Sequence, residues 1–221
     1  MPRVTDEYRA GRRAEILRAA ARLFAANGFH ATSMADIISE AGLSAGAVYR
    51  YFHSKEDLIT AVAEIALTAA DDVFEQLLAD DAAPAPAQAV TALIETIATR
   101  IVGDPDLGVD LTRIGVQAWA EALRKPSLAA RADGIFRRLR RNCAEVARRW
   151  QQAGNLPADA DPEHVGAAML GLVQGFVLQH LLISGTGPAA YTAGVNALLP
   201  APPGRPPPAP LMRAGADDRV R

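Results

Sequence analysis

The chain has 221 residues, enough for one or two compact domains. Half of it is hydrophobic and 22% is charged, a core-forming composition that excludes disordered and fibrous classes. A single cysteine, Cys143, excludes a disulfide framework and a cysteine-based metal cluster. His30, His53, His164 and His180 are too scattered to form a local ligand pair, so neither a metal nor a cofactor is expected. The net charge of −2 hides an asymmetry: residues 1–55 carry eight Lys/Arg against five Asp/Glu, and residues 56–221 carry fifteen against twenty. A basic head on an acidic body suits a nucleic-acid reader with a separate regulatory part. No charged segment followed by an apolar run opens the chain, so no secretion signal is read and a cytoplasmic location is expected.

In chain order the pattern is helix after helix. Ile16, Ala20, Leu23 and Phe24 recur at helical spacing up to Gly28, a good residue to follow a helix. Ser33 can cap a short second helix, with Asp36 as the reciprocal acid; Gly42 ends it, and a third short segment follows Ser44 over Ala45–Phe52. Ser54 caps a long run bearing Leu58, Val62, Ile65, Ala69, Val73 and Leu77. Asp80–Pro86 reads as a linker, and Val90, Leu93, Ile94, Ile97 and Ile101 define the next helix. A further one over about Asp106–Arg124 is apolar on two faces. From Ser127 to Gly154 an apolar stripe opposes arginines, so Arg137–Arg141 is expected to be a solvated face with acidic partners. A very apolar helix over Glu163–Ser184 and a shorter one after Pro188 complete an all-α chain of about nine helices. Seven prolines within Pro200–Pro210 predict a disordered tail. The expected organisation is a helix-turn-helix domain at 1–54, a helical ligand-binding and dimerisation domain at 55–200, and the proline-rich tail at 201–221.

The richest motif is Thr32–Leu58, TSMADIISEAGLSAGAVYRYFHSKEDL. A capped helix, a glycine turn and a second short helix make a helix-turn-helix, whose second helix is free to enter a major groove. Ser44, Tyr49, Arg50, Tyr51, His53 and Lys55 leave hydroxyls, a ring nitrogen and cations where phosphates would lie. The segment resembles the DNA-binding domain of the tetracycline-repressor (TetR) family of bacterial transcription regulators. The resemblance is carried by Gly28–Phe29, Thr32–Ser33, Ala41–Gly42–Leu43–Ser44, Val48–Tyr49–Arg50–Tyr51–Phe52 and Ser54–Lys55–Glu56–Asp57–Leu58. It covers about residues 10–60 at motif strength.

The resemblance implies double-stranded operator DNA as partner, a homodimer, and a small-molecule effector of unidentified structure. It places Thr32 and Ser33 at the DNA backbone and makes Tyr49 and Lys55 phosphate contacts, with Tyr51 and His53 nearby. Ala45, Gly46 and Ala47 fall where base edges are read. These small residues depart from much of the family and offer only close backbone approach and methyl contact, so readout must lean on Ser44, Arg50, DNA shape or the arginines of the N-terminal arm. The stretch Asp106–Gly154 also resembles the C-terminal part of the choline-responsive BetI-like branch, through Ala118–Trp119–Ala120–Glu121–Ala122–Leu123 and Phe136–Arg137–Arg138–Leu139. That likeness concerns fold and assigns no ligand.

Rival readings are set by particular segments. Gly42–Leu43–Ser44–Ala45–Gly46 satisfies G-x-S-x-G, but a hydrolase elbow needs a strand into the turn, and a capped helix precedes Ser44. A hydrolase, or a helical interaction protein without DNA binding, therefore ranks below a regulator. Val165–Gly185 has no charged residue over twenty-one positions, long enough to span a bilayer. A helix buried on two sides needs the same composition, so no membrane partner is expected. In the family the last two helices pair across a two-fold axis, which points to Gly171, Gly175, Leu178, Leu182 and Val195 as the dimer interface. Phe74, Trp119, Phe136, Leu139, Met169 and Phe176 are the expected lining of an effector pocket. Cys143, on an apolar stripe, is expected to be a small core residue.

Overall fold

The computed structural model describes residues 6–79, 82–102 and 108–199, apart from the side chains of Ala63 and residues 66–69. The proline-rich tail expected after residue 200 lies outside the described residues. Nine α-helices and one π-helical turn are found, and no strand, among the described residues. The first three are α1 (Asp6–Ala31), α2 (Met34–Ala41) and α3 (Ala45–Tyr49). Then come α4 (Lys55–Leu77), α5 (Pro86–Thr96) running into the π turn Ile97–Ile101, and α6 (Leu111–Ala122). The last described elements are α7 (Pro126–Gln152), α8 (Pro162–Leu182) and α9 (Pro188–Leu198).

Each boundary has a local cause. Ser33 accepts from Asp36 N while Asp36 accepts from Ser33 N, a reciprocal box that satisfies two end donors of α2. The bonds that the Asp36 carboxylate accepts from the Ser33 amide and then from the Ser33 hydroxyl hold its pKa below the ordinary range. Gly42 ends α2 at φ 64°, the left-handed region that a side chain disfavours. Ser44 and Ser54 cap α3 and α4 by accepting from Ala47 N and Asp57 N. Gly28, expected to end α1, does break it at φ 82° and ψ 167°, but one further turn carries Phe29 beneath the helix. Phe24 and Phe29 then meet edge-on at 4.8 Å, a pairing worth about 0.5–1.5 kcal/mol beyond area burial.

Two apolar clusters result. One gathers Ile16, Phe24, Ile37, Val48 and Leu58, and extends without a break to Ile101, Leu111, Ile114 and Leu128. The other gathers Phe74, Val90, Ile94, Cys143, Val146, Met169 and Phe176. Cys143 is a buried core thiol, as its stripe predicts, and burial pushes its pKa up to about 12. The α7–α8 hairpin is the tightest approach, because a Cβ on Gly166 would lie 2.6 Å from Ala144 N. The arginine run on α7 is solvated: Arg137 pairs with Asp133 and Arg138 with Asp71.

Helix α8 is long and apolar enough to cross a membrane by composition. Here it lays Met169, Val173 and Phe176 into the second cluster and leaves Leu178 and Leu182 exposed. Two residues expected at a subunit interface have inward roles instead. Val195 is 2% exposed within the chain's own core, because α9 packs against α5. Gly175 makes room for Tyr191, whose hydroxyl donates to Leu172 O at 2.8 Å and would sit 2.9 Å from any Cβ placed there. Gly171, Leu178 and Leu182 are on open surface.

Candidate nucleic-acid interface and internal cavity

Helix α3 has a buried side and an exposed side. Val48 is fully buried against α1 and α2, with Phe52 beneath it. That anchoring leaves Ser44, Ala45, Gly46, Tyr49, Arg50 and His53 exposed along the helix and the turn that follows. Ala47 and Tyr51 are half-buried, Tyr51 leaning on the core. Ser33 is exposed at the start of α2, its hydroxyl already engaged with Asp36.

Two other motif residues turn inward. Thr32 is 1% exposed, and its hydroxyl donates to Gly28 O at 2.8 Å. The Lys55 ammonium donates to Phe29 O and, at 2.9 Å, to Thr32 O. The end of α1 presents carbonyls with no helical partner, and a hydroxyl and a cation from the chain satisfy them before any phosphate does. Both residues therefore hold the turn that sets α2 on α1, and a backbone contact by the Thr32 hydroxyl is replaced by this inward bond.

The same end of α1 is clasped by α6. Gln117 accepts from Phe29 N at 3.2 Å through Oε1 and donates to Phe24 O at 3.4 Å. Gly28 sits against that amide, since a Cβ there would lie 3.4 Å from Gln117 Oε1. Four residues along, the buried Glu121 carboxylate meets His30 Nε2 at 2.6 Å. Beyond the corner, Lys125 pairs with Glu56 at 2.8 Å; the ammonium lowers the Glu56 pKa, and the carboxylate raises that of Lys125. Sequence reasoning missed Gln117 and Glu121. Their i, i+4 spacing on a helix already apolar on two faces is the signal that could have marked a third, polar contact face.

On its other side α6 walls an apolar cavity of about 210 Å³. Phe74, Trp119, Phe136 and Leu139, all predicted from the sequence, line it. Trp119 and Phe136 meet edge-to-face at 5.6 Å. Met169 and Phe176 do not line it; they are buried in the second cluster, where Phe176 packs against Tyr191 at 5.4 Å. Ile97 and Ile101, the ends of the π turn, both face the cavity. A π turn is rare and concentrates at functional sites, because the extra residue per turn redirects side chains. The polar part of the lining is a few hydroxyls, Gln174 and Arg131.

Comparison with known proteins agrees with this layout. Residues 16–62 match the family described as bacterial regulatory proteins, tetR family, and residues 86–201 match the BetI-type transcriptional repressor C-terminal family. The repressor KstR2 of Mycolicibacterium smegmatis is 30% identical over 203 residues, 79% of this chain and 95% of that one. The match to the regulator YfiR of Bacillus subtilis is 44% identical but confined to 66 residues, 30% of this chain and 32% of that one. Among solved structures, Salmonella enterica GusR superposes with a TM-score of 0.66 at 25% identity, covering 90% of this chain and 99% of GusR. A regulator from Saccharomonospora viridis, solved in complex with choline, shares the fold at a TM-score of 0.67 and 23% identity over 86% of this chain and 95% of its own. Two matched segments, which together take in the reading helices and most of the cavity walls, leave one assignment: this chain belongs to the TetR family and is a DNA-binding transcriptional regulator with a BetI-type C-terminal region.

Proposed function

We propose that the chain is a cytoplasmic homodimeric repressor that reads an operator with α3 and leaves it when a small apolar molecule occupies the cavity beside Trp119. The observation that carries this reading is that one helix, α6, forms a cavity wall through Trp119 and holds the end of α1 through Gln117. A ligand moves an equilibrium only by binding its two states unequally. Displacing the Trp119 side of α6 changes the Gln117 and Glu121 contacts, and so biases the spacing of the two reading helices. Residues 1–54 act as reader and 55–200 as sensor. The open apolar strip at Leu178, Leu182 and Leu198 is the proposed dimer face. Ser33, Ser44, Tyr49, Arg50, Tyr51 and His53 are the proposed DNA contacts. Ser44 serves as a helix cap in a glycine turn, and the role requires no catalytic step.

Gel-shift titration against the promoter DNA beside the chain's own gene tests the reading. Two-fold symmetry predicts an inverted repeat with half-sites about one helical turn, roughly 34–36 Å, or a multiple apart. Arg50→Ala should weaken binding and lower the salt slope by about one. Absence of binding to that DNA, or a wild-type monomer by sedimentation at micromolar concentration, contradicts the proposal.

A further inference from the structure

Arg131 is the one charged side chain among the described residues that line the cavity. It projects from the early part of α7 at the mouth, 47% exposed. Its guanidinium donates to Thr60 Oγ1 at 2.5 Å, and the Thr60 hydroxyl donates in turn to Glu56 O at 2.9 Å. Asp57 lies 3.7 Å away, an ion pair too long for a good hydrogen bond. The other oxygen of Asp57 is occupied, accepting from His53 N at 3.2 Å. The nearby Glu56 carboxylate is matched by Lys125. The cation at the mouth is thus held by one hydroxyl and one distant carboxylate, while a guanidinium can grip a carboxylate with two parallel bonds.

Resting on the cavity as the effector site, we propose that its ligand is an apolar carboxylic acid of short to medium chain, the chain against Trp119 and Phe136 and the carboxylate on Arg131. The volume of about 210 Å³ lies below the roughly 300–1,000 Å³ of drug-sized sites, which favours a small, slender ligand. Among the described residues no carboxylate lines the cavity, and an ammonium would meet the like charge of Arg131 at the mouth. The bound head would also draw Arg131 from Asp57 and Thr60, and both of these lie in the first two turns of α4, directly after the reading helix.

The test is binding of octanoate, octan-1-ol and choline at pH 8, followed by Trp119 emission in a Trp150→Phe background. Octanoate should bind about tenfold more tightly than octan-1-ol, the scale of a charge-assisted pair, and choline should not bind. Arg131→Gln should bring the octanoate affinity down to that of the alcohol while leaving the alcohol within about twofold, and Arg131→Lys should recover part of the preference. Calorimetry on the unsubstituted chain gives the same ratio if Trp150→Phe folds poorly. Equal binding of acid and alcohol, a preference for choline, or an octanoate preference that survives Arg131→Gln overturns the acid class while leaving the cavity as a ligand site. Failure of all three probes to bind overturns the cavity reading and this proposal together.

Discussion

The helix-turn-helix region and the C-terminal region are built from similar aliphatic helices, yet one is filled and the other hollow. Around α2 and α3 the packing is so close that Ile16, Phe24, Ile37, Val48 and, from the first turn of α4, Leu58 are all fully buried. In the C-terminal region the helices stand around a cavity of about 210 Å³, and Gly115, Ala118 and Ala132 on its walls are too small to close it. Filling makes a rigid surface whose register against DNA is kept; a void leaves room for a ligand to do the packing. Gln117 and Glu121 lie at the seam between the two.

The largest expected effect breaks the filled side. Phe24→Ala should cost about 3–5 kcal/mol in denaturant unfolding, because its site cannot collapse. Phe136→Ala, whose half-buried ring already faces the void, should cost only about 1–2 kcal/mol. Equal losses would erase the contrast between the two regions. At the seam, Gln117→Ala leaves the Phe29 amide without its acceptor, at about 1–3 kcal/mol. Hydrogen exchange should quicken at that amide in particular, and unchanged exchange would show that the clasp transmits nothing.

Filling the void is the gentler perturbation. Ala118→Leu should change stability by less than about 1.5 kcal/mol while abolishing the Trp119 response to added ligand. A large loss of stability would mean that the cavity is smaller in solution than its walls imply. The smallest effect belongs to the half-buried Glu56–Lys125 pair, worth about 0–1 kcal/mol after solvent screening. The Glu56 pKa is lowered on folding, so its contribution is complete above the ordinary 4.5 and is lost as pH falls through the lower folded value. Lys125 is raised, so its share is present below 10.5 and is lost as pH rises through the higher folded value. Glu56→Gln should therefore fall slightly below the unsubstituted chain at pH 7 and converge on it as pH falls below the lowered Glu56 value, as measured by thermal unfolding.

Elements with local causes were legible from residues alone. The caps at Ser33, Ser44 and Ser54, the left-handed turn at Gly42 and the apolar stripe of α7 all depend on neighbours a few positions away. Lys55 was read as a DNA contact because a cation beside a recognition helix suits phosphates, and Thr32 because the family resemblance puts it at the DNA backbone. Both face carbonyls at the end of α1 instead, and that helix end lies more than twenty residues from Lys55 in sequence. Phe176, Met169 and Val195 were recognised as apolar, but the core claimed them before the cavity or a partner subunit could.

Sequence by itself determined the number and order of the helices, the exposed side of α3 and the two-faced character of α6, since each follows from hydrophobic period and capping within one segment. Only the tertiary structure decided which apolar face meets a void, which meets a neighbour and which stays open. That choice depends on where helices distant in sequence come to rest. It left Trp119 on the cavity, Val195 in the core and Leu182 on the surface, though all three are large or branched apolar residues on amphipathic or wholly apolar helices.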